Sequence, residues 1–182
     1  MLSFKENIPI ILETVNKRNP HKILDVGAGM GKYGLLLREQ YLSEQAQRRV
    51  LMPIDDLIID AIEDTEYMWN FRDGLIFKIY NTVHKTGVFE NIPLFEKERY
   101  DIALLIDVVE HWTKENALRL IREIIKYTDV LVSTPTRPSM YKQHYYGDSR
   151  HHITRWEEID FSEFNISVYS NKLSHIIYIH HR

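Results

Sequence analysis

The sequence predicts an α/β protein with a mostly parallel seven-stranded sheet, helices on both faces of that sheet, and an antiparallel C-terminal hairpin. Strand and helix patterns alternate through residue 134, which is typical of a parallel sheet covered by helices. The runs ILDV, ALLI and VLVS are continuously apolar, as strands buried on both faces require. Two strand patterns then follow each other directly at the end of the chain, which predicts an antiparallel pair at one edge.

The individual helices and strands are predicted from the spacing of hydrophobic residues and from the residues that begin or end each element. Asn19-Pro20 ends the first helical pattern, and Thr113 is a suitable N-cap for the amphipathic run KENALRLIREIIK. The predicted helices span 4–17, 32–47 and 113–126, with one or two more between 65 and 85. The predicted strands span 22–26, 57–63, 88–92, 100–107, 130–134, 165–169 and 175–180.

Length and composition exclude several classes of protein. The 182 residues suit a single domain, 1–182, and a net charge of −3 gives no general attraction to nucleic acid or anionic membranes. The absence of cysteine excludes disulfides and cysteine zinc sites. The sequence contains neither a secretory signal nor a run of ~20 apolar residues that would span a membrane. We therefore expect a soluble cytoplasmic protein.

The segment ILDVGAGMGKYG, residues 23–34, places glycines directly after the first strand and admits two interpretations. The spacing of Gly29, Gly31 and Gly34 fits the dinucleotide pattern G-x-G-x-x-G, which would indicate an NAD(P)-dependent oxidoreductase. A lone match of this kind is weak. Asp25 also stands close to the turn, where a carboxylate would repel a pyrophosphate.

The stretch from Leu24 to Gly31 resembles the first motif of class I S-adenosylmethionine-dependent methyltransferases. The resemblance implies a Rossmann-like three-layer sandwich and S-adenosylmethionine as the cofactor. That cofactor carries an ammonium and a sulfonium, so Asp25 would attract it and face its amino-acid end. The alternative is that Asp25 only caps nearby backbone N–H groups. The residues implied to lie against the cofactor are Gly27, Ala28, Gly29 and Gly31.

The same resemblance implies an acid at the end of the second strand, where a carboxylate accepts both ribose hydroxyls. The segment LIIDAIED supplies Glu63, followed by Asp64, whereas Asp60 is expected on the other face of the strand. The alternative for Glu63 is an acid that starts a helix. The long gap between Gly31 and Glu63 disfavours the NAD interpretation, since a simple dinucleotide unit has ~20 residues there.

The segment YDIALLIDVVEHW resembles the fourth-strand region of the same family, with Asp101 opening the strand and Glu110-His111 closing the motif. By that resemblance Ile106, Asp107 and Val108 line the cofactor pocket. The adenine would meet residues that follow the third strand, here Glu90, Asn91 or Ile92. The tetrapeptide Asn/Asp-Pro-Pro-aromatic, typical of enzymes that methylate amino groups of adenine or glutamine, is missing, which argues against those substrates.

Histidine is the residue best suited to take a proton at neutral pH, and the candidates for the catalytic base are His111 and His152, followed by His151 and His144. His111 also has a structural interpretation, as a cap for the following helix or as a support for Glu110. The loop group His144, Asp148, His151 and His152 fits no established metal-site spacing, so no metal is predicted.

The predicted function is methyl transfer from S-adenosylmethionine to an oxygen or nitrogen of a small-molecule or saccharide-like acceptor. The alternatives are the oxidoreductase and a non-catalytic cofactor-binding module of the same fold. No nucleic-acid partner is expected, because the net charge is small and basic and aromatic residues are not interleaved. No membrane partner is expected, because no apolar run is long enough to span a membrane. Pairing of the C-terminal edge strands into a homodimer stays open.

Overall fold

The computed structural model describes residues 5–48, 57–66, 70, 74–136 and 152–181 and shows one seven-stranded sheet. Its strand order is β3-β2-β1-β4-β5-β7-β6, and the first five strands of that order run parallel. β7 pairs antiparallel with both β5 and β6. The strands are β1 (Lys22–Val26), β2 (Ile58–Ile62), β3 (Val83–His84), β4 (Ile102–Ile106), β5 (Asp129–Pro135), β6 (Ile166–Val168) and β7 (Ser174–Ile179).

The described helices are α1 (Asn7–Asn16), α2 (Lys32–Arg48), α3 (Ile76–Ile79), α4 (Ile92–Glu98) and α5 (Lys114–Ile124). α5 begins as predicted, because the Thr113 hydroxyl accepts a hydrogen bond from the Asn116 N–H. It buries Ala117, Leu120, Ile121 and Ile124, the one-face spacing of an amphipathic helix. None of the described helices combines the length and apolar character needed to cross a membrane.

Two apolar cores lie on the two faces of the sheet, which makes the fold a three-layer sandwich. α4 and α5 pack on the face that carries Leu24, Ala103 and Val130. α1 and α2 pack on the other face of the sheet. The alternate residues of the same strands, such as Ile23 and Ile102, point toward that face. The predicted Rossmann-like α/β architecture and its antiparallel C-terminal hairpin are confirmed, and β6 is the edge strand of that hairpin.

The predicted third strand at 88–92 is wrong. Residues Val88–Asn91 form a short 3₁₀ helix, and the true third strand is the two-residue β3, which precedes it. Pro93 at the start of α4 favours the helical continuation. Asn91 still follows the true third strand, at a greater distance along the chain, so its predicted place at the adenine stays a prediction. The Asn91 amide donates to the Thr86 hydroxyl and the Gly87 carbonyl, so it folds the turn after β3.

Candidate functional site

The sheet order reverses between β1 and β4, and the carboxyl ends of these strands meet the end of β2. In open α/β sheets such a reversal leaves a crevice where ligands bind. The Gly27 N–H donates to the Ile62 carbonyl at 2.8 Å, which fixes the glycine turn against the end of β2. The Asp107 N–H donates to the Ser133 carbonyl at 2.8 Å, which fixes the end of β4 against β5.

The three glycines of the turn all have left-handed backbones but stand in different surroundings. A Cβ atom on Gly27 would lie 2.5 Å from Cγ2 of Val108, so the turn and the residue after β4 are in close contact. A Cβ atom on Gly29, where φ is +56°, would meet no atom within 4 Å. Gly27 is therefore required for packing, whereas Gly29 leaves open space at the crevice.

This difference predicts distinct outcomes for two alanine substitutions. Gly27→Ala should lower the free energy of unfolding by about 2–5 kcal/mol, from left-handed strain and overpacking against Val108 together. Gly29→Ala should lower it by only about 1–2 kcal/mol, from the backbone strain alone. Urea unfolding of both variants measures the difference. Equal destabilisation of the two variants would contradict the packing role assigned to Gly27.

Asp25 is buried in β1 and accepts a hydrogen bond from the Tyr80 hydroxyl at 2.6 Å. Burial raises its pKa to about 6, the Tyr80 hydrogen bond opposes that rise, and the Glu63 carboxylate adds to it. Tyr80 itself is buried. The Asp25 carboxyl therefore lies in a dry site where a cationic group would favour its ionised form.

Glu63 follows β2 and shares a sheet face with Asp25, because Asp25 is paired with Ala61, two residues before Glu63. Its Oε2 accepts from the Gly29 N–H at 2.8 Å, and its Oε1 accepts from the Thr65 N–H at 2.9 Å. The carboxylate thus joins the glycine turn to the end of β2. Asp64 is exposed, and Asp60, on the opposite face, accepts instead from the Tyr100 hydroxyl.

Asp107 stands at the end of β4 with a left-handed backbone, φ +54°, which is unusual for a residue other than glycine. Strain of this kind is concentrated at functional sites. Lys32, the first residue of α2, lies near the Asp107 carboxylate. Burial lowers the pKa of the Lys32 ammonium, and the Asp107 carboxylate offsets part of that fall. The motif predicted Asp107 and Val108 at the crevice, whereas nothing in the sequence indicated Lys32.

The two predicted catalytic histidines lie together beside Glu110. The ring centroids of His111 and His152 are 5.0 Å apart, and Nε2 of His152 is 3.8 Å from Oε1 of Glu110. The other Glu110 oxygen accepts from the Thr134 hydroxyl at 3.2 Å. The capping alternative for His111 is wrong, because Thr113 caps α5. The segment of His152 is held by hydrogen bonds from the Ile153 and Thr154 N–H groups to the Glu110 carbonyl.

Burial governs the charge of this cluster. It raises the pKa of Glu110 to about 8, with a further contribution from the Asp107 carboxylate. Burial also lowers the pKa of His152, so its imidazole is neutral at physiological pH. Trp156, fully buried against Phe161, anchors the end of the same segment. The other histidines of the predicted loop, His144 and His151, lie outside the described residues, as does Asp148.

Comparisons with solved structures agree with this geometry. No protein-family model and no curated protein matches the sequence. The methyltransferase domain of the bacterial protein CtHen1 is similar, with 17% identity, a TM-score of 0.62 and 97% of each chain covered. Magnesium protoporphyrin IX methyltransferase from Synechocystis PCC 6803, determined with bound S-adenosylmethionine, is 14% identical with a TM-score of 0.58, over 96% of this chain and 77% of that one.

An rRNA methylase from Escherichia coli is also similar, with 16% identity and a TM-score of 0.59, over 97% of this chain and 64% of that one. The chain therefore has the class I methyltransferase fold, and the resemblance predicted from the motifs is confirmed at the level of the fold. Because an rRNA methylase shares this fold, the comparisons give no support to the predicted exclusion of nucleic-acid partners.

Proposed function

We propose that this chain binds S-adenosylmethionine and transfers its methyl group to an oxygen or nitrogen of a small-molecule or saccharide-like acceptor. The observation that carries the proposal is the placement of Asp25 and Glu63 on one face of the sheet, around the glycine turn, at the point where the strand order reverses. When bound, S-adenosylmethionine supplies an activated methyl group on a sulfonium.

The residues of the crevice suit this cofactor. Asp25 offers a buried carboxyl to the cationic amino-acid end, and Glu63 offers two acceptor oxygens to the ribose. Open space beside Gly29 allows a ligand to approach the backbone closely. The two carboxylates would repel a pyrophosphate, and this disfavours the NAD(P) alternative.

The acceptor end of the proposed site is the cluster of Glu110, His111 and His152. Glu110 and His111 lie just after Asp107 and Val108 at the end of β4, and His152 joins them from a distant segment. His111 and His152 remain the candidates for taking the acceptor's proton, as the sequence predicted. Alignment of the acceptor and removal of its proton are the tasks left to the protein in such a transfer. Pairing of β6 with a second copy remains a prediction.

Titration calorimetry with S-adenosylmethionine, S-adenosylhomocysteine and NAD tests the cofactor. Binding of both the methyl donor S-adenosylmethionine and its demethylated product S-adenosylhomocysteine with micromolar affinity, and no binding of NAD, would support the proposal. NAD binding alone would favour the oxidoreductase.

Release of S-adenosylhomocysteine in the presence of alcohols, phenols, amines, saccharides and RNA oligonucleotides then tests turnover. We expect His152→Ala to lower the rate with a productive acceptor by about 10²–10⁴-fold while the affinity for S-adenosylmethionine stays unchanged. Cofactor binding without turnover on any of these acceptors would favour the non-catalytic module.

A further inference from the structure

Three side chains beside the end of β4 present ligand atoms to a common point. One atom each from Glu110, His111 and His152 lies within 4.8 Å of the other two. The Glu110 and His152 side chains are only 1% and 3% exposed. Two imidazoles and one carboxylate are a donor set typical of divalent transition metals, with coordination positions left open for substrate.

One carboxylate oxygen of this cluster has no hydrogen-bond donor in the part of the chain that the structure describes. Oε1 of Glu110 is fully buried and accepts no hydrogen bond from the described residues, and its distance of 3.8 Å from Nε2 of His152 is too long for one. A buried polar atom left in this state costs about 1–3 kcal/mol, so it needs an explanation. A cation between the carboxylate and the imidazole would satisfy the oxygen and account for the gap between the two groups.

The groups around the cluster hold the ligands in place. The Thr134 hydroxyl orients the Glu110 carboxyl, and the Ile153 and Thr154 N–H groups bind the Glu110 carbonyl. The Thr154 hydroxyl donates to the Trp112 carbonyl at 2.5 Å. The 3₁₀ helix Val109–His111 and the segment of His152 are thereby fixed to each other, in the way that supporting hydrogen bonds orient the ligands of metal sites.

We propose that Glu110, His111 and His152 bind a divalent transition-metal ion, and that this ion takes a hydroxyl oxygen of the methyl acceptor as a further ligand. The role in methyl transfer rests on the proposed function, whereas metal binding itself does not. The proposal replaces the role of proton acceptor given to the two histidines above, because an imidazole nitrogen that ligates a metal cannot also take a proton. It departs from the sequence prediction as well, which assigned no metal. It selects O-methylation, because an amine bound to the ion would have its single lone pair occupied, whereas a metal-bound oxyanion keeps a lone pair for the methyl carbon.

The chemistry of the step is balanced without any further reactant. The ion lowers the pKa of the bound hydroxyl, whose proton leaves to solvent. A lone pair of the resulting oxyanion forms the new bond to the methyl carbon. The carbon–sulfur bond breaks with its electron pair remaining on sulfur, which converts the sulfonium to a neutral thioether.

The test is metal binding by the chelator-treated full chain. Co²⁺ is added to the protein and its visible absorption is followed, and calorimetry is run with Mn²⁺, Zn²⁺, Co²⁺ and Mg²⁺. We expect one transition ion per chain and weaker binding of Mg²⁺, because imidazole nitrogens favour the transition metals. Glu110→Gln and His152→Gln should each lower the affinity for Co²⁺ by at least roughly 100-fold.

His175→Gln is the matched control, because Nδ1 of His175 lies 3.6 Å from a Glu158 oxygen in a comparable histidine–glutamate pair outside the cluster. It should leave the affinity for Co²⁺ unchanged. If Glu110→Gln fails to fold, His152→Gln still decides the question. The backbone hydrogen bonds of Ile153 and Thr154 and the buried Trp156 ring remain in that variant.

Binding of S-adenosylmethionine is measured on the same samples. A failure of the proposed metal site can then be distinguished from a failure of the proposed methyltransferase function. Loss of Co²⁺ binding in both cluster variants, with methyl-donor binding retained, supports the metal site. No transition-metal binding by a chain that binds the methyl donor overturns the metal site alone, and so does Co²⁺ binding that persists in both variants. Metal binding without binding of the methyl donor supports the site and overturns the proposed function.

Discussion

Glu63→Gln should weaken the binding of S-adenosylmethionine by about 10–150-fold. This is the loss of affinity expected when one hydrogen bond to a charged group is removed. The carboxylate accepts the Gly29 N–H on one oxygen and the Thr65 N–H on the other. Glutamine has one acceptor oxygen, so its NH₂ group would face a backbone donor. The substitution should therefore displace the glycine turn as well as remove the charge that faces the ribose. Calorimetry at neutral pH measures the change in affinity.

Asp60→Asn is the control for this substitution. Asp60 is also a buried acid of β2, but it lies on the opposite face and accepts from the Tyr100 hydroxyl, a bond that an asparagine carbonyl can keep. The affinity of this variant for S-adenosylmethionine should match that of the unsubstituted chain. If Asp60→Asn weakened binding as much as Glu63→Gln, general loss of stability would explain both, and the assignment of Glu63 to the ribose would fail.

Most strands of the sheet could be predicted, because a strand that is buried on both faces is a continuous run of apolar residues, and such a run is recognisable in the sequence. β1 and β4 were located correctly by the runs ILDV and ALLI. β3 was missed because only Val83 and His84 form it, at the edge of the parallel part of the sheet. Two half-buried residues produce no periodicity, and the apolar residues of the following 3₁₀ helix gave a stronger but false strand signal.

The site was predictable where local sequence defines it and unpredictable where distant segments meet. The glycine turn and the acids Asp25 and Glu63 belong to motifs of a few residues each. The contact between Tyr80 and Asp25 joins residues 55 positions apart, and that between His152 and Glu110 spans a stretch of chain that carries no recognisable motif. The left-handed backbone of Asp107 depends on its contacts at the end of β4, which sequence patterns do not encode.

Asp25→Asn should make the free protein more stable at pH 7 while weakening its binding of S-adenosylmethionine. The folded-state pKa of Asp25, about 6, lies above its ordinary value of 3.8. The folded state therefore binds more protons than the unfolded state between these values, and the unfolding free energy falls as pH rises from about 4 to 6. The loss amounts to about 3 kcal/mol and persists at higher pH. Asparagine avoids this loss, because it is never charged and can still accept from Tyr80.

Urea unfolding between pH 4 and pH 7 tests this prediction: the advantage of Asp25→Asn should be near zero at pH 4 and reach its full value above pH 6. The affinity for S-adenosylmethionine should increase as pH rises, because the cationic group of the cofactor needs an ionised Asp25.

The affinity of the unsubstituted chain should rise by up to about tenfold per pH unit below 6, whereas the affinity of Asp25→Asn should not change with pH. Tyr80→Phe removes the hydrogen bond that opposes the pKa rise, so both transitions should move to higher pH. A pH-independent affinity in the unsubstituted chain would mean that Asp25 does not face the cationic group, and that its carboxyl serves the packing of β1 alone.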